Sequence, residues 1–127
     1  MIQPSQLNGG VLAFIGDGVM TLMVREYLIK QGYTKAKQLQ ELSVKYVSAK
    51  AQSQFMSKII SDLNEQETEI FKRGRNYKSN SMPKNADVYE YHIATGLEAL
   101  WGYWYLSNEK ERLDNFFVQM IKENSLD

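Results

Sequence analysis

The chain has 127 residues, of which 43% are hydrophobic and 24% charged, so it is long enough for one domain with a sizeable core. Its 15 basic and 15 acidic residues give a formal net charge of zero, and overall charge therefore predicts no nucleic-acid partner. The lack of cysteine excludes disulfides, thiolate zinc sites and cysteine nucleophiles, and it suits a reducing cytosol. No segment has the features of a signal peptide or the apolar length of a membrane span, so we expect a cytoplasmic protein without a membrane contact.

The first half of the chain is predicted to be helical. The chain has only two prolines and no sustained strand-like alternation, which favours an all-α fold of about six to seven helices. The first helix is expected over residues 10–31, with Gly32 as its stop. The second is expected over residues 34–46 with Thr34 as its cap, and the third begins near Ser48.

The second half continues this pattern around one irregular stretch. Asn64 followed by Glu67 predicts a capping box that opens a fourth helix, which we expect to end at Gly74. The segment RGRNYKSNSMPKN is the predicted loop, and a long apolar helix follows over residues 86–106. A last amphipathic helix is expected to bury Leu113, Phe116, Phe117, Met120 and Ile121.

Two carboxylates occupy segments that are otherwise apolar. Asp17 is the only ionisable residue in VLAFIGDGVMTLMV, and Glu98 is the only carboxylate in YHIATGLEALWGYWYL. We expect both to be buried, and a lone buried carboxylate costs several kcal/mol unless it is protonated, paired or bound to a cation. Thr21 shares a helix face with Asp17, and Thr95 shares one with Glu98. If these faces meet, they form an oxygen-rich site suited to Mg²⁺, for which Mn²⁺ can substitute.

Structural ion pairs are the alternative to a metal site. Asp17 could pair with Arg25 and Glu98 with a lysine of another helix, because structural networks also bury acids. His92, the only histidine, cannot form a zinc cluster alone and is expected to be a packed or surface side chain.

Glycines inside both apolar helices predict that backbones, or a ligand, approach closely there; they are Gly16, Gly18, Gly96 and Gly102.

A basic stretch without an acid runs from Lys72 to Lys84. Basic and amide donors suit phosphate and sugar contacts, which dominate nucleic-acid affinity. Because Tyr77 is the only aromatic residue there, shape recognition of a duplex fits better than base stacking. A solvated loop is the alternative, but the position just before the Glu98 helix favours RNA binding. The RNA-contact candidates are Lys72, Arg73, Arg75, Asn76, Lys78 and Lys84. Ser48, Lys50 and Gln52 form either a weaker donor set or only a helix start.

Several of these segments resemble a known family. LAFIGDGVM resembles the signature helix of the ribonuclease III family, in which a catalytic aspartate follows a glycine. TGLEALWGYWYL resembles that family's second acidic helix, and KRGRN, PKN and VSAKAQSQ are similar to Mini-III ribonucleases, small bacterial members made of the catalytic domain alone. The resemblance covers nearly the whole chain. It implies that residues 1–127 form a single ribonuclease III-type helical endonuclease domain without a separate double-stranded RNA-binding domain.

The resemblance also implies an activity. It assigns Asp17 and Glu98 as the catalytic and metal-binding residues. Thr95 and Thr21, which share helix faces with these acids, are expected as outer contacts. It implies a Mg²⁺-dependent endoribonuclease that cuts double-stranded RNA, leaves 5′-phosphate and 3′-hydroxyl ends, and matures precursor large-subunit (23S) ribosomal RNA. It further implies a homodimer, for which we expect a contact around Val11, Phe14 and Met20.

The chain departs from the family pattern at two positions. Ala13 and Thr95 stand where full-length members carry further acids. The resemblance therefore supports one firmly held Mg²⁺, because a second ion would need substrate phosphates as ligands.

Two alternatives remain from other functional classes. The chain could be a non-catalytic RNA-binding structural protein with the same fold, but such a protein would not need both Asp17 and Glu98. It could also be a helical metal-dependent nucleotide hydrolase, which generally needs more clustered acids and no basic loop.

Overall fold

The computed structural model describes residues 2–78, 82 and 87–124, most of which are helical. The α-helices are α1 (Gly9–Lys30), α2 (Ala36–Val47), α3 (Ala49–Ile59), α4 (Glu65–Arg75), α5 (Val88–Leu106) and α6 (Lys110–Glu123). Short 3-10 turns lie at Pro4–Gln6 and Ile60–Asp62. Within the described ranges no strand occurs, and the predicted all-α class and number of helices are confirmed.

Local sequence signals set several helix ends as predicted. Gly32 has a φ of 101° just after α1, a backbone conformation that favours glycine. The Ser48 hydroxyl accepts a hydrogen bond from the Ala51 N–H at the start of α3. At the start of α4, the Asn64 side chain accepts from the Glu67 N–H while the Glu67 carboxylate accepts from the Asn64 N–H, so the capping box is confirmed.

Other predicted helix ends are wrong. Thr34 does not cap α2, which begins at Ala36 after Lys35 with no side-chain cap. Gly74 does not end α4, which continues through Arg75. Gly74 instead faces α5, where an added Cβ would press against Ala99 and the backbone at Thr95. The predicted start of the fifth helix at residue 86 lies outside the described residues.

Helix α5 lies at the centre of the fold and contacts α1, α3, α4 and α6. The core is built from large apolar side chains of these helices, which include Leu12, Met20, Phe55, Phe71, Leu97, Trp101 and Trp104. The closest backbone approach joins α1 to α5. A Cβ on Gly16 would overlap the Glu98 carbonyl oxygen, and one on Gly102 would overlap the Leu12 carbonyl oxygen. The predicted close approach is confirmed at these two glycines and at Gly96, where an added Cβ would press against the Phe71 ring and backbone. At Gly18, no described atom outside its own stretch of helix lies within 4 Å of an added Cβ.

The most buried carboxylate in the described part of the chain is Glu67, which is 1% exposed. Arg112 of α6 donates to both of its oxygens, at 2.7 and 2.8 Å, and the Trp104 indole N–H donates at 2.8 Å. Burial by itself raises the pKa of Glu67, but the hydrogen bonds from Arg112, Asn64 and Trp104 outweigh it and lower the pKa below 4.5. This ion pair ties α4, α5 and α6 together.

Candidate active site

Asp17 and Glu98 meet where α1 crosses α5. Gly16 packs directly against the Glu98 backbone carbonyl, so the next residue of α1 is held beside the Glu98 side chain. The two carboxyl groups lie within hydrogen-bonding reach of each other. The structure therefore brings together the two acids that the sequence singled out.

The two acids differ in burial, and the expectation that both are buried is wrong for Asp17. Asp17 is exposed, whereas Glu98 is half-buried. The apolar character of α1 misled the prediction, because one apolar face of this helix lies in the core while Phe14, Leu22 and Ile29 on another are exposed. Asp17 therefore carries no burial penalty, and the energetic problem is confined to Glu98.

The electrostatics of the pair follow from this arrangement. Burial raises the pKa of the Glu98 carboxyl from 4.5 to about 8, with the negative charge of Asp17 and a hydrogen bond to it acting in the same direction. A hydrogen bond from Gln52 acts in the opposite sense. Near neutral pH, Glu98 thus holds a proton that a cation could replace.

The donor set at this place fits a magnesium ion. Among the described residues, no group of three or more histidine, cysteine, aspartate or glutamate side chains lies close enough to hold a metal. Two carboxylates are nevertheless sufficient for Mg²⁺, which keeps several waters and binds through one or two carboxylates. The buried Oε1 atom of Gln52, beside Glu98, has no hydrogen-bond partner among the described residues and could accept from such waters.

The neutral neighbours of the two acids are placed as follows. Ala13 is buried in the core, one turn before Asp17. Thr95 is also buried, and its hydroxyl donates to the Tyr91 carbonyl oxygen at 2.8 Å. Thr21 is half-buried one turn after Asp17. Thr95 therefore has a partner within its own helix, and neither position adds a charge to the site.

Gln52 is a site residue that sequence reasoning placed wrongly. The sequence offered it as a member of a weak RNA-donor set or of a helix start, but it is only 2% exposed and does not lie on the surface. Its amide donates to the Val47 carbonyl oxygen at 2.9 Å and to the Glu98 carboxylate at 3.4 Å. Its position just after the Ser48 cap was visible in the sequence, but the contact with Glu98 joins residues 46 apart and has no local signal.

The basic stretch leaves α4 near the start of α1. Lys72, Asn76 and Lys78 are exposed, and Arg75 lies over the Phe71 ring with its Nε donating to the Asn76 side chain. The Tyr77 ring packs against Gly10, which lies on the same side of α1 as Asp17 and about 10 Å from it along the helix axis.

Arg73 and Lys84 differ from the other predicted RNA contacts. Arg73 donates to the carbonyl oxygens of Ser5 and Leu7 and pairs with Glu69, so its guanidinium already has partners within the chain. Lys84 lies outside the described residues.

The family model for the ribonuclease III domain matches residues 10–109, a span that includes both acids. The chain belongs to the ribonuclease III family. It is accordingly an endoribonuclease of a family that acts on double-stranded RNA, and the resemblance found in the sequence is confirmed.

Individual relatives agree with this assignment. The chain is 44% identical to the Mini-ribonuclease 3 of Enterococcus faecalis, over 93% of this chain and 91% of that protein. It is also 44% identical to the Mini-ribonuclease 3 of Streptococcus pneumoniae, over 97% of this chain and 98% of that protein. A crystal structure of a Fusobacterium nucleatum protein, 36% identical, superposes with a TM-score of 0.85 over 94% of this chain and 96% of that one. No helix in the described part of the ribonuclease III-family chain is long and apolar enough to cross a membrane.

Proposed function

We propose that this ribonuclease III-family chain cuts double-stranded RNA at a site where Asp17 and Glu98 together hold one Mg²⁺. The observation that carries the proposal is the contact between the two carboxyl groups, made by α1 and α5 at Gly16. Burial and the negative charge of Asp17 raise the pKa of Glu98, and a divalent cation would offset both effects by replacing the proton on Glu98. Mn²⁺, with similar oxygen preferences, should substitute.

Glu98 and Asp17 have different roles in the proposed site. When bound, the cation supplies a charge that activates water and stabilises the negative charge that develops on the scissile phosphate. Glu98, half-buried and fixed on the central helix, sets the position of the site. Asp17, exposed beside it, is the acid that an incoming RNA backbone can reach. Thr95 and Thr21, each about one helical turn from one of the acids, are proposed as neutral outer contacts.

The proposed RNA-binding surface is the C-terminal end of α4 together with the residues that follow it. Lys72, Arg75, Asn76 and Lys78 can contact phosphates, because the residues that the structure describes leave donors of these side chains free. Arg73 should contribute less to RNA binding, because its guanidinium already donates to the carbonyl oxygens of Ser5 and Leu7. Lys84 remains a candidate from the sequence. Phosphate contacts of this kind predict binding that weakens steeply with salt.

A homodimer is part of the proposal. Val11, Phe14, Leu22 and Ile29 form an exposed apolar stripe along α1, and Phe14 is 82% exposed. Apolar side chains aligned in this way on a surface suit a protein contact. Because Asp17 lies next to the stripe, pairing through it would bring two sites into one cleft. Met20, also expected in the contact, is buried in the core, so that expectation is wrong.

The proposed substrate is the paired end region of precursor large-subunit (23S) ribosomal RNA. Support comes from similarity to proteins named Mini-ribonuclease 3 and from the family resemblance, while the site itself accounts only for a duplex backbone and a cation.

Incubation of a duplex RNA with Mg²⁺ and the wild type, Asp17→Asn or Glu98→Gln tests the proposal. The wild type should cut the duplex but not its separated strands, both variants should be inactive while folded, and EDTA should stop the reaction. Equal cleavage by all three proteins would reject the site, and no cleavage by any of them would reject Mg²⁺-dependent cleavage of a duplex by this pair of acids. Precursor ribosomal RNA compared with an arbitrary duplex tests the substrate.

A further inference from the structure

Gln52 links the candidate site to the turn between α2 and α3. It lies on the first turn of α3, and its Nε2 group donates both of its hydrogens, one to the Val47 carbonyl oxygen at 2.9 Å and one to Glu98 Oε2 at 3.4 Å. Val47 is the last residue of α2, and Ser48 after it caps α3. The amide is thus anchored on the backbone at one side and directed at the carboxylate on the other.

The burial of this amide is costly, which argues against a role in stability alone. Gln52 is 2% exposed, and its Oε1 atom is buried without a hydrogen-bond partner among the described residues. A buried acceptor without a hydrogen-bond partner destabilises the folded state. An apolar side chain of the same size would avoid that cost, so the contact with Glu98 is the feature that a glutamine provides and an apolar residue cannot.

We propose that Gln52 is a positioning residue that fixes the Glu98 carboxylate for cation binding. This inference rests on the proposed function of the two acids. The glutamate side chain has three rotatable bonds, and the hydrogen bond to Oε2 restricts them so that the carboxylate stays beside Asp17. Gln52 acts through Glu98 and does not itself contact RNA.

Gln52→Met tests this role, because methionine keeps the length and removes the amide. Three quantities are measured on the folded protein: the affinity for Mn²⁺ alone by calorimetry, kcat and KM for a duplex RNA, and the melting temperature. Loss of an outer contact of this kind typically lowers metal affinity or activity by ~10–100-fold. We expect such a loss in Mn²⁺ affinity and in kcat, with an unchanged KM for the duplex.

Ser53→Ala is the matched control. Ser53 is the next residue of α3, is buried, and donates only to the Lys50 carbonyl oxygen of its own helix, so its removal should leave Mn²⁺ affinity and kcat unchanged. If Gln52→Met does not fold, Gln52→Asn replaces it, since its amide is one methylene too short to reach both partners.

A Gln52→Met protein that melts at a lower temperature but keeps wild-type Mn²⁺ affinity and kcat would overturn the inference and leave only a structural bond to Val47. The proposed function fails separately. If the wild type binds Mn²⁺ and Gln52→Met binds it more weakly, yet neither cuts a duplex, the role of Gln52 is upheld and the assigned reaction is not.

Discussion

Gly16 of α1 packs against the backbone carbonyl of Glu98 on α5 so closely that a methyl group at position 16 would overlap the oxygen. This contact sets the distance between the two helices and places Asp17, the next residue, beside the Glu98 carboxyl group. Packing and the candidate chemistry therefore depend on the same pair of residues.

Gly16→Ala should lower both stability and cleavage. The neighbouring atom is backbone and cannot rotate away, so α1 and α5 must separate, and overpacking of this kind costs about 1–3 kcal/mol. The free energy of unfolding in urea measures the effect. Gly18→Ala adds the same group where no described atom outside its own stretch of helix lies within 4 Å, and it should not be destabilising. Equal stability of Gly16→Ala and the wild type would contradict the packing described here.

Glu98 should make the stability of the metal-free protein fall as pH rises. Burial raises its pKa to about 8 in the folded state, while the unfolded chain has the ordinary value of 4.5. The folded protein therefore binds the extra proton, and the resulting stabilisation is present below pH 4.5 and is lost as pH rises through about 8.

Glu98→Gln should remove this pH dependence, because an amide resembles the protonated acid and does not titrate. Melting temperatures in EDTA from about pH 5 to about pH 9 measure the difference. The variant should become more stable than the wild type at the alkaline end. Parallel curves for the two proteins would show that the pKa of Glu98 is not raised.

Glu67 should make the stability of the protein fall as pH falls, the opposite of the effect of Glu98. Burial raises its pKa, but the hydrogen bonds from Arg112, Asn64 and Trp104 outweigh it, so the folded pKa lies below 4.5. Its contribution to stability is full above pH 4.5 and is lost as pH falls through the folded pKa. Acid unfolding of Glu67→Gln should therefore have a smaller pH slope below pH 4.5 than the wild type, and an unchanged slope would refute the shift.

Arg112→Met should destabilise the fold without reaching the candidate site. It leaves Glu67 buried without its cation, and breaking a buried ion pair on one side costs about 3–5 kcal/mol. Arg112 is partly exposed, so we expect the lower end of that range, measured by urea unfolding. Lys58→Met, which removes the exposed pair with Glu123, is the control and should cost less than about 1 kcal/mol. Similar losses in the two variants would contradict a special role for the Glu67 pair.

Phe14→Ser should weaken the proposed homodimer. Phe14 is the most exposed large apolar residue of the α1 stripe. Central aromatic contacts often contribute about 2 kcal/mol or more to binding, so the dissociation constant of the dimer should rise by roughly tenfold or more. Sedimentation velocity measures it. Val118→Ser, at an exposed apolar residue of α6, should leave the dimer unchanged. A wild type that stays monomeric at high concentration would contradict the dimer itself.

The sequence predicted those features that depend on neighbours along the chain. The Asn64 and Glu67 capping box and the Gly32 stop follow from residues a few positions apart. Thr34 and Gly74 misled because a cap or a stop signal is only a local preference, and in Gly74 the missing side chain serves the packing of α4 on α5. The Arg112 partner of Glu67 and the Glu98 partner of Gln52 lie 45 and 46 residues away, beyond the reach of any local pattern.

Within the candidate site, the sequence predicted the identity of the two acids but not their surroundings. Asp17 and Glu98 were conspicuous because each is an acid in an apolar helix. The same apolar pattern gave a wrong expectation of burial for Asp17, since an apolar face can lie in the core or at the surface. The distinction requires the packing of the whole chain.

The most direct test of the account is a calorimetric titration of the wild type, Asp17→Asn and Glu98→Gln with Mn²⁺ near neutral pH. If the two acids hold one cation together, the wild type should bind one ion per chain, with release of protons from Glu98, and each variant should lose most of that affinity. Wild-type affinity in either variant would contradict a shared cation site.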